Sequence, residues 1–551
     1  MNNNQKATKR ALLTSVMALV MCVVMLVGTT FAWFTDTAST GVNKIQAGNL
    51  DIELEYATEW NTDGSVKTWS KAEGETLQFK KAAGHESEEV LWEPGCRYVL
   101  PELRIVNKGN LALKYKISIS GAKDATPKND KNDLKLLDVI DWTYSVIGAG
   151  GDATAVLGTE RYLAAKTADR DVFDTLTIEG QMQKSAGNDY QGMAIEGIAI
   201  TVVATQDTVE NDSFGNTYDK DATYPVVVSQ NELNTSLTLD ALKDENGKVS
   251  PVEVTLGDTS AEDINYSQNN SGYTGKGVML GSTKLNKYAA TPAAAGEYKF
   301  TFKDGTITST ANGYSSIDNY KDTSIYMLVP GNSDVVFENM TFNGVVSFDI
   351  QKYTSPWSNL NSITFKNCTF NGIIIGTCPA SNVTFDGCTF NAYTNTESAN
   401  NSNPIWWRED TEGSGANANP IKTFTFVNNK VTGTRPVKIE RIGKTVSPIF
   451  TIKNNKFDIS AQAGDGTVKK NMAINIGMGE NPNLPFTLID EGNTISANTA
   501  ALYTASLTGG SNWYKEVSGM KVLDGNGNAK VITAMVWKTT TGETFKLKSV
   551  D

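Results

Sequence analysis

The sequence predicts an all-β protein whose second half is a parallel β-helix, and three observations carry that expectation. The stretch from Val335 to Asn391 repeats one short motif three times, as VVFENMTFNG, SITFKNCTFNG and NVTFDGCTFNA. The steps between equivalent residues are uneven: 28 from Phe337 to Phe365, 20 to Phe385, 41 to Phe426 and 26 to Ile452. The first half alternates apolar and polar residues without repeating, as in Asp51–Tyr56, Tyr115–Ser120 and Ile198–Ala204, the mark of strands with one buried face.

Each repeat holds an alternating strand, a kink at Asn or Gly, and a second short strand. Phe337, Phe365 and Phe385 share one position, and Phe342, Phe370 and Phe390 share another. Weaker copies begin at Tyr298, Thr423, Ile449 and Phe486. A strand pair this short buries its apolar face only by stacking on its neighbours. Propeller blades hold their length, whereas a coil with variable corner loops tolerates uneven steps. The shortest step suits one turn of three strands, and a third strand is visible at Pro404–Glu409, Pro436–Ile442 and Met472–Met478. The kink residues Asn339, Asn367, Gly387, Asn428 and Asn454 are the types that best tolerate a left-handed backbone. In this pattern, over roughly 225–551, the chain resembles the right-handed parallel β-helix proteins of the pectate-lyase-like class, without any catalytic motif of that class.

From its start, the chain of 551 residues is long enough for two or more cores. Its net charge of −12, with no basic tract after the N-terminus, argues against a nucleic-acid partner. The single histidine, His85, and the absence of metal-ligand spacing among the cysteines disfavour His-based triads and zinc sites. No cofactor or metal site is expected. Lys6, Lys9 and Arg10 precede an uncharged run from Ala11 to Phe34. That is the layout of a secretory signal peptide over 1–32, cut after Ala32; the alternative is an uncleaved membrane anchor. No sorting-type motif closes the C-terminus, so attachment is expected to be non-covalent or through the leader.

After the leader come FAWFTDTAST and KIQAGNLDIELE (Lys44–Glu55), then LWEPGCRYVLPELRIVNKGNLALKYKISISG (Leu91–Gly121) and GNDYQGMAIEGIAITVVATQ (Gly187–Gln206). These three segments, in this order, resemble the TasA/camelysin family, secreted matrix proteins of Gram-positive bacteria processed by a SipW-type signal peptidase. The resemblance covers about 33–220 and implies a jelly-roll-type β-sandwich, so the full expectation is a jelly-roll-type β-sandwich followed by a right-handed parallel β-helix over 226–551. It also implies polymerisation into extracellular fibres. Some family members have been called proteases, but no HExxH is present and His85 stands in a polar stretch, as an exposed loop residue would.

Asp133–Val139 reads as a short helix, and Thr205–Pro225 as a strand end running into a polar linker. SQNELNTSL suits a short amphipathic helix ahead of the first β-helix strand, where a cap must cover an open core. Cys368 and Cys388 share one register on neighbouring turns. They form either a disulfide or a column of small core residues.

The candidate carbohydrate contacts are Trp406, Trp407 and Arg408, in SNPIWWREDTEGSG. On a strand the two indoles point to opposite faces, so one is free to stack on a sugar unless a loop covers it. Lys438 and Glu440 share a face on the next turn and read as a charged outer stripe. Paired carboxylates for glycosidase chemistry are not identifiable. Three functions remain open. The first is a secreted cell-surface or extracellular-matrix protein with a structural, fibre-forming or adhesive role, self-assembling through sheet edges. The second is a polysaccharide lyase or glycoside hydrolase held at the cell surface. The third is a non-catalytic carbohydrate-binding protein. Trp33–Asn43 is either a strand donated to a neighbouring sandwich or the first strand of its own.

Overall fold

The computed structural model describes residues 50–551 except 81–89, 125–135, 149–150, 167–171, 208–222, 267–272, 286–292, 315–323, 350–359, 410–419, 461–470, 479–483, 507–517, 538–543 and a few isolated positions. The leader, Trp33–Asn43, His85, Cys378 and most of the expected linker lie outside the described residues. What is described is all-β: a jelly-roll-type antiparallel sandwich followed by a right-handed parallel β-helix.

In the sandwich's larger sheet, Val66–Lys71, Ile52–Trp60, Leu103–Asn107, Val172–Met182, Ile140–Gly148 and Gly151–Val156 lie side by side, and Arg97–Val99 joins Val172–Met182. The smaller sheet holds three strands, Ile195–Gln206, Leu113–Asp124 and Arg161–Leu163. Alternation does the sorting. Leu103, Ile105, Tyr144, Leu176 and Ile178 from the first sheet meet Leu113, Tyr115 and Ile117 from the second. Two tyrosine hydroxyls in this core are satisfied: Tyr115 Oη donates to Asp174 at 2.7 Å, and Tyr144 Oη donates to Thr159 O at 3.1 Å. The expected helix at Asp133–Val139 is a 3-10 turn over Leu136–Val139, with 131–135 outside the described residues.

In the β-helix, one flat parallel sheet stacks Val252–Thr255, Lys299–Lys303, Asp334–Glu338, Leu360–Lys366, Ala380–Asp386, Thr423–Val427, Ile449–Lys453 and Thr487–Glu491. The second and third strands of every turn share one long curved sheet. In two successive turns they fuse into single strands, Thr341–Asp349 and Thr369–Thr377, paired along their whole length. Gly372 makes the corner of the second feasible, because a Cβ there would lie 1.6 Å from the carbonyl oxygen of Gly344 on the turn before. The third strands appear at Ile405–Arg408, Val437–Ile442 and Met472–Met478. Strand Val226–Ser229 pairs with Val252–Thr255 before the helix Gln230–Thr235 begins, so one strand precedes the cap rather than following it. The helix starts with a capping box between Ser229 and Glu232, and it buries Leu233 in the open end of the core.

The corner between first and second strands is built the same way in turn after turn. Asp304, Asn339, Asn367, Gly387, Asn428, Asn454 and Gly492 all have φ between 52° and 66°. Gly305 and Met340 follow the first two kinks, and from Asn367 onward the next residue points into the corner and donates to a main-chain carbonyl of the preceding turn. Cys368 Sγ reaches Phe337 O and Cys388 Sγ reaches Phe365 O, each at 3.3 Å. Asn429, Asn455 and Asn493 reach Phe385 O, Phe426 O and Ile452 O at 3.0, 2.7 and 2.7 Å. Cys368 and Cys388 are free thiols. The column of apolar residues expected there is therefore a column of weak donors that passes into an asparagine ladder. At the far end the inward Phe position is taken by Asp490, bound by Lys530, by Tyr503 Oη at 2.9 Å and by Asn493 Nδ2 at 2.8 Å.

Candidate functional site

Strand Ile405–Arg408 places the three candidate sugar contacts in one short run, and alternation splits them. Trp407 points inward and is fully buried, edge-on to Phe365 and Phe385 with ring centroids 6.4 and 5.7 Å away. Its indole lies over Gly376 of the preceding turn, where any Cβ would sit 2.3 Å from the ring. Trp407 is thus a core residue and offers no face to a ligand, which corrects the expectation from sequence.

Trp406 points outward, but its ring is already engaged. The Tyr314 ring lies 5.9 Å away, tilted by 47°, and Lys438 Nζ sits 4.0 Å from the ring centroid. Its Nε1 donates to Glu440 at 2.7 Å, and Glu440 also holds Lys438 at 2.8 Å. The cluster is anchored beneath by Val345, Ile373 and Ile375 and covered by Tyr393. Asn395 clamps Tyr314, accepting from its N–H at 2.9 Å and donating to its carbonyl at 2.8 Å. Burial, with the Glu440 charge adding, raises the Tyr314 phenol far above its ordinary value. Arg408 is only 5% exposed. The charged outer stripe exists, but it is laid over an apolar patch as a cation–π clamp. The three candidates do not converge on one site: Trp407 packs inside the coil, Trp406 outside it, and Arg408 is buried beside Trp406.

The carboxylates along the helix are also engaged. Down the first sheet, Lys303, Glu338, Lys366 and Asp386 stand one above another with alternating charge, and Lys366 pairs Glu338 at 2.7 Å. Among the described residues no three His, Cys, Asp or Glu side chains are placed to hold a metal ion. On the sandwich, the Arg104 guanidinium lies between the rings of Trp69 and Phe173, at 4.8 and 4.9 Å, and also binds Glu55. Burial pushes the Glu55 carboxyl up, but the bonds from Lys108 and Arg104 outweigh it and hold the group below its usual range.

The interaction surface that stands out is a strand edge. Ile195–Gln206 is twelve residues long, and among the described residues it pairs with one strand, Leu113–Asp124. Glu196 is its one charged residue. The other edges are shorter: Val66–Lys71 carries Lys67 and Lys71, Gly151–Val156 has six residues, and Arg161–Leu163 has three. Asp207 N donates to Ala112 O, and antiparallel pairs alternate. Residues 201, 203 and 205 therefore bond inward to Leu113–Asp124, while the main-chain groups of Ile200, Val202 and Ala204 face the open edge. Tyr224 is fixed on the outer face of this same sheet, with its ring under Lys116 at 4.5 Å and its hydroxyl donating to Glu160 at 2.8 Å. The alternation of Ile198–Ala204 announced the strand, but nothing local announces that it lies at an edge.

Neither the protein-family models nor the curated proteins compared with the chain give a match. Among solved structures, the chain is similar to the catalytic domain of a GH87 alpha-1,3-glucanase, solved in complex with tetrasaccharides. That similarity has 11% identity and a TM-score of 0.14, covering 83% of this chain and 89% of the other. At that TM-score it defines neither the fold nor the chemistry of this chain. The class of protein is set by its own topology, a β-sandwich whose strand Ile195–Gln206 has one strand partner among the described residues, followed by a capped β-helix.

Proposed function

We propose that this is a secreted bacterial cell-surface or extracellular-matrix protein with a structural role, in which the sandwich assembles and the β-helix projects as a rigid arm. One observation carries the proposal: the twelve-residue, nearly uncharged strand Ile195–Gln206, which among the described residues is the edge of a three-stranded sheet. Such an edge is a template for strand addition, with main-chain hydrogen bonds supplying the affinity. The occupant is Trp33–Asn43 of a neighbouring copy, Thr- and Val-bearing and poor in apolar surface of its own. A head-to-tail handover of this kind does not close on itself and grows a filament. Removal of the leader would release the segment and start assembly. The resemblance of 33–220 to TasA/camelysin proteins supports the same reading.

The test is light scattering of the mature chain beside Val202→Pro and Thr201→Lys. Val202→Pro removes an N–H aimed at the open edge and keeps the bonds to Leu113–Asp124. Thr201→Lys places a charge on the solvent face without touching the core. Assembly should slow by about tenfold or more in both, on the order of 1.4 kcal/mol per contact, with melting little changed. Equal assembly in wild type and in a folded variant contradicts the proposal.

A further inference from the structure

The second strands of four consecutive turns carry a flat, uncharged array that the Trp406 cluster and the assembly edge leave unused. Thr306, Thr341, Thr369 and Thr389 stand in one outward column, each paired in register with the next. Two residues along each strand stands a second column, of Thr308, Asn343, Asn371 and Asn391. Between the columns, pointing inward, Phe342, Phe370 and Phe390 stack at 4.9 and 4.7 Å, which sets the rung interval beneath the array.

The amides are pre-paired. Asn391 Nδ2 donates to Asn371 Oδ1 at 2.6 Å, Asn371 Nδ2 to Asn343 Oδ1 at 3.0 Å, and Asn343 Nδ2 to Thr308 Oγ1 at 3.4 Å. Each amide nitrogen has two hydrogens, so every link of this ladder leaves a second donor for solvent or a ligand. Asn371 and Asn391 are exposed. Gly344 and Gly372 follow the amide column, so no side chain rises beside it there.

Charge marks the limits of the array. One rung before it stands Asp258, paired with Thr306, and one rung after it stands Lys430, paired with Thr389. On the first sheet the same turns carry Lys303, Glu338, Lys366 and Asp386 in a single column. The uncharged strip is therefore local to one face. A row of fixed amide donors and threonine hydroxyls at a constant interval suits a partner that repeats hydroxyl groups along a line. The absence of charge within the array selects against a polyanion, which would meet a cation in this column only at Lys430, beyond its end.

We infer that this face, Thr306 to Asn391, is a docking surface for a neutral polysaccharide chain lying along the axis of the β-helix. The inference stands apart from assembly through the sandwich edge. Its test is retention of the full mature chain on insoluble neutral glucans, microcrystalline cellulose and an α-linked glucan, with soluble polygalacturonate as the anionic comparator. Wild type should be retained on at least one neutral glucan in preference to polygalacturonate. The triple variant Thr341→Val, Thr369→Val, Thr389→Val keeps the β-branched shape and removes the hydroxyls. Its retention should fall by about tenfold, the effect of losing one or two net hydrogen bonds. Asn371→Asp with Asn391→Asp, on exposed positions, should do the same and carries the test if the valine variant fails to fold. Lys366→Gln should change nothing. No retention of wild type, equal retention of the variants, or stronger binding to polygalacturonate overturns the inference. So does a threonine-dependent shaping of ice crystals without glucan retention, which would make ice the partner.

Discussion

At the residue scale, the corner of each turn shows how narrowly the fold constrains a position. The kink needs a left-handed residue, and Asn or Gly supplies it at Asn339, Asn367, Gly387, Asn428 and Asn454. Met340 follows the first of these, and after each of the other four the next residue donates to a buried carbonyl. Cys does so weakly, Asn strongly, and Asn455 also accepts from the N–H of Asn429 at 2.9 Å. Asn455→Ala should therefore cost about 1–3 kcal/mol for each polar group left stranded. Asn455→Cys, which copies the arrangement at Cys388, should cost less. Denaturant unfolding of both variants decides it, and equal losses would contradict the donor role. The kinks were legible because backbone sterics act locally. The burial of Trp407 was not, because it depends on the room above Gly376 one turn earlier. Nor was the clamping of Trp406, because Tyr314 comes from 92 residues earlier in the chain, although Lys438 stands on the next turn.

At the scale of elements, stacked identical strands hold the β-helix. The rings of Phe302, Phe337, Phe365 and Phe385 follow at 5.1, 5.3 and 4.8 Å, with planes within 20° of parallel. Phe365 also meets Phe342, Phe370 and Phe348 edge-on. Phe365→Ala should cost about 3–5 kcal/mol, as for a fully buried aromatic. Thermal and denaturant melting would show it, and a loss under about 1 kcal/mol would contradict the column as a source of stability. The repeats alone gave this element's architecture, down to the third strands. The order at its start did not follow, since the cap helix was expected ahead of the first strand, whereas Val226–Ser229 precedes it and pairs in parallel with Val252–Thr255.

At the scale of the whole molecule, the described residues hold two separate main cores, one within the sandwich and one running the length of the β-helix. Among the described residues the sandwich strand Ile195–Gln206 is paired along one side, whereas the β-helix is closed by Leu233 at one end and by the bound Asp490 and an antiparallel hairpin at the other. The proposed assembly runs through that sandwich strand. The most direct test is electron microscopy of two mature chains at matched concentration, one starting at Trp33 and one at Lys44. The account predicts filaments with projecting arms for the chain starting at Trp33 and single particles for the chain starting at Lys44. The same appearance for both, whether filaments or single particles, would contradict it.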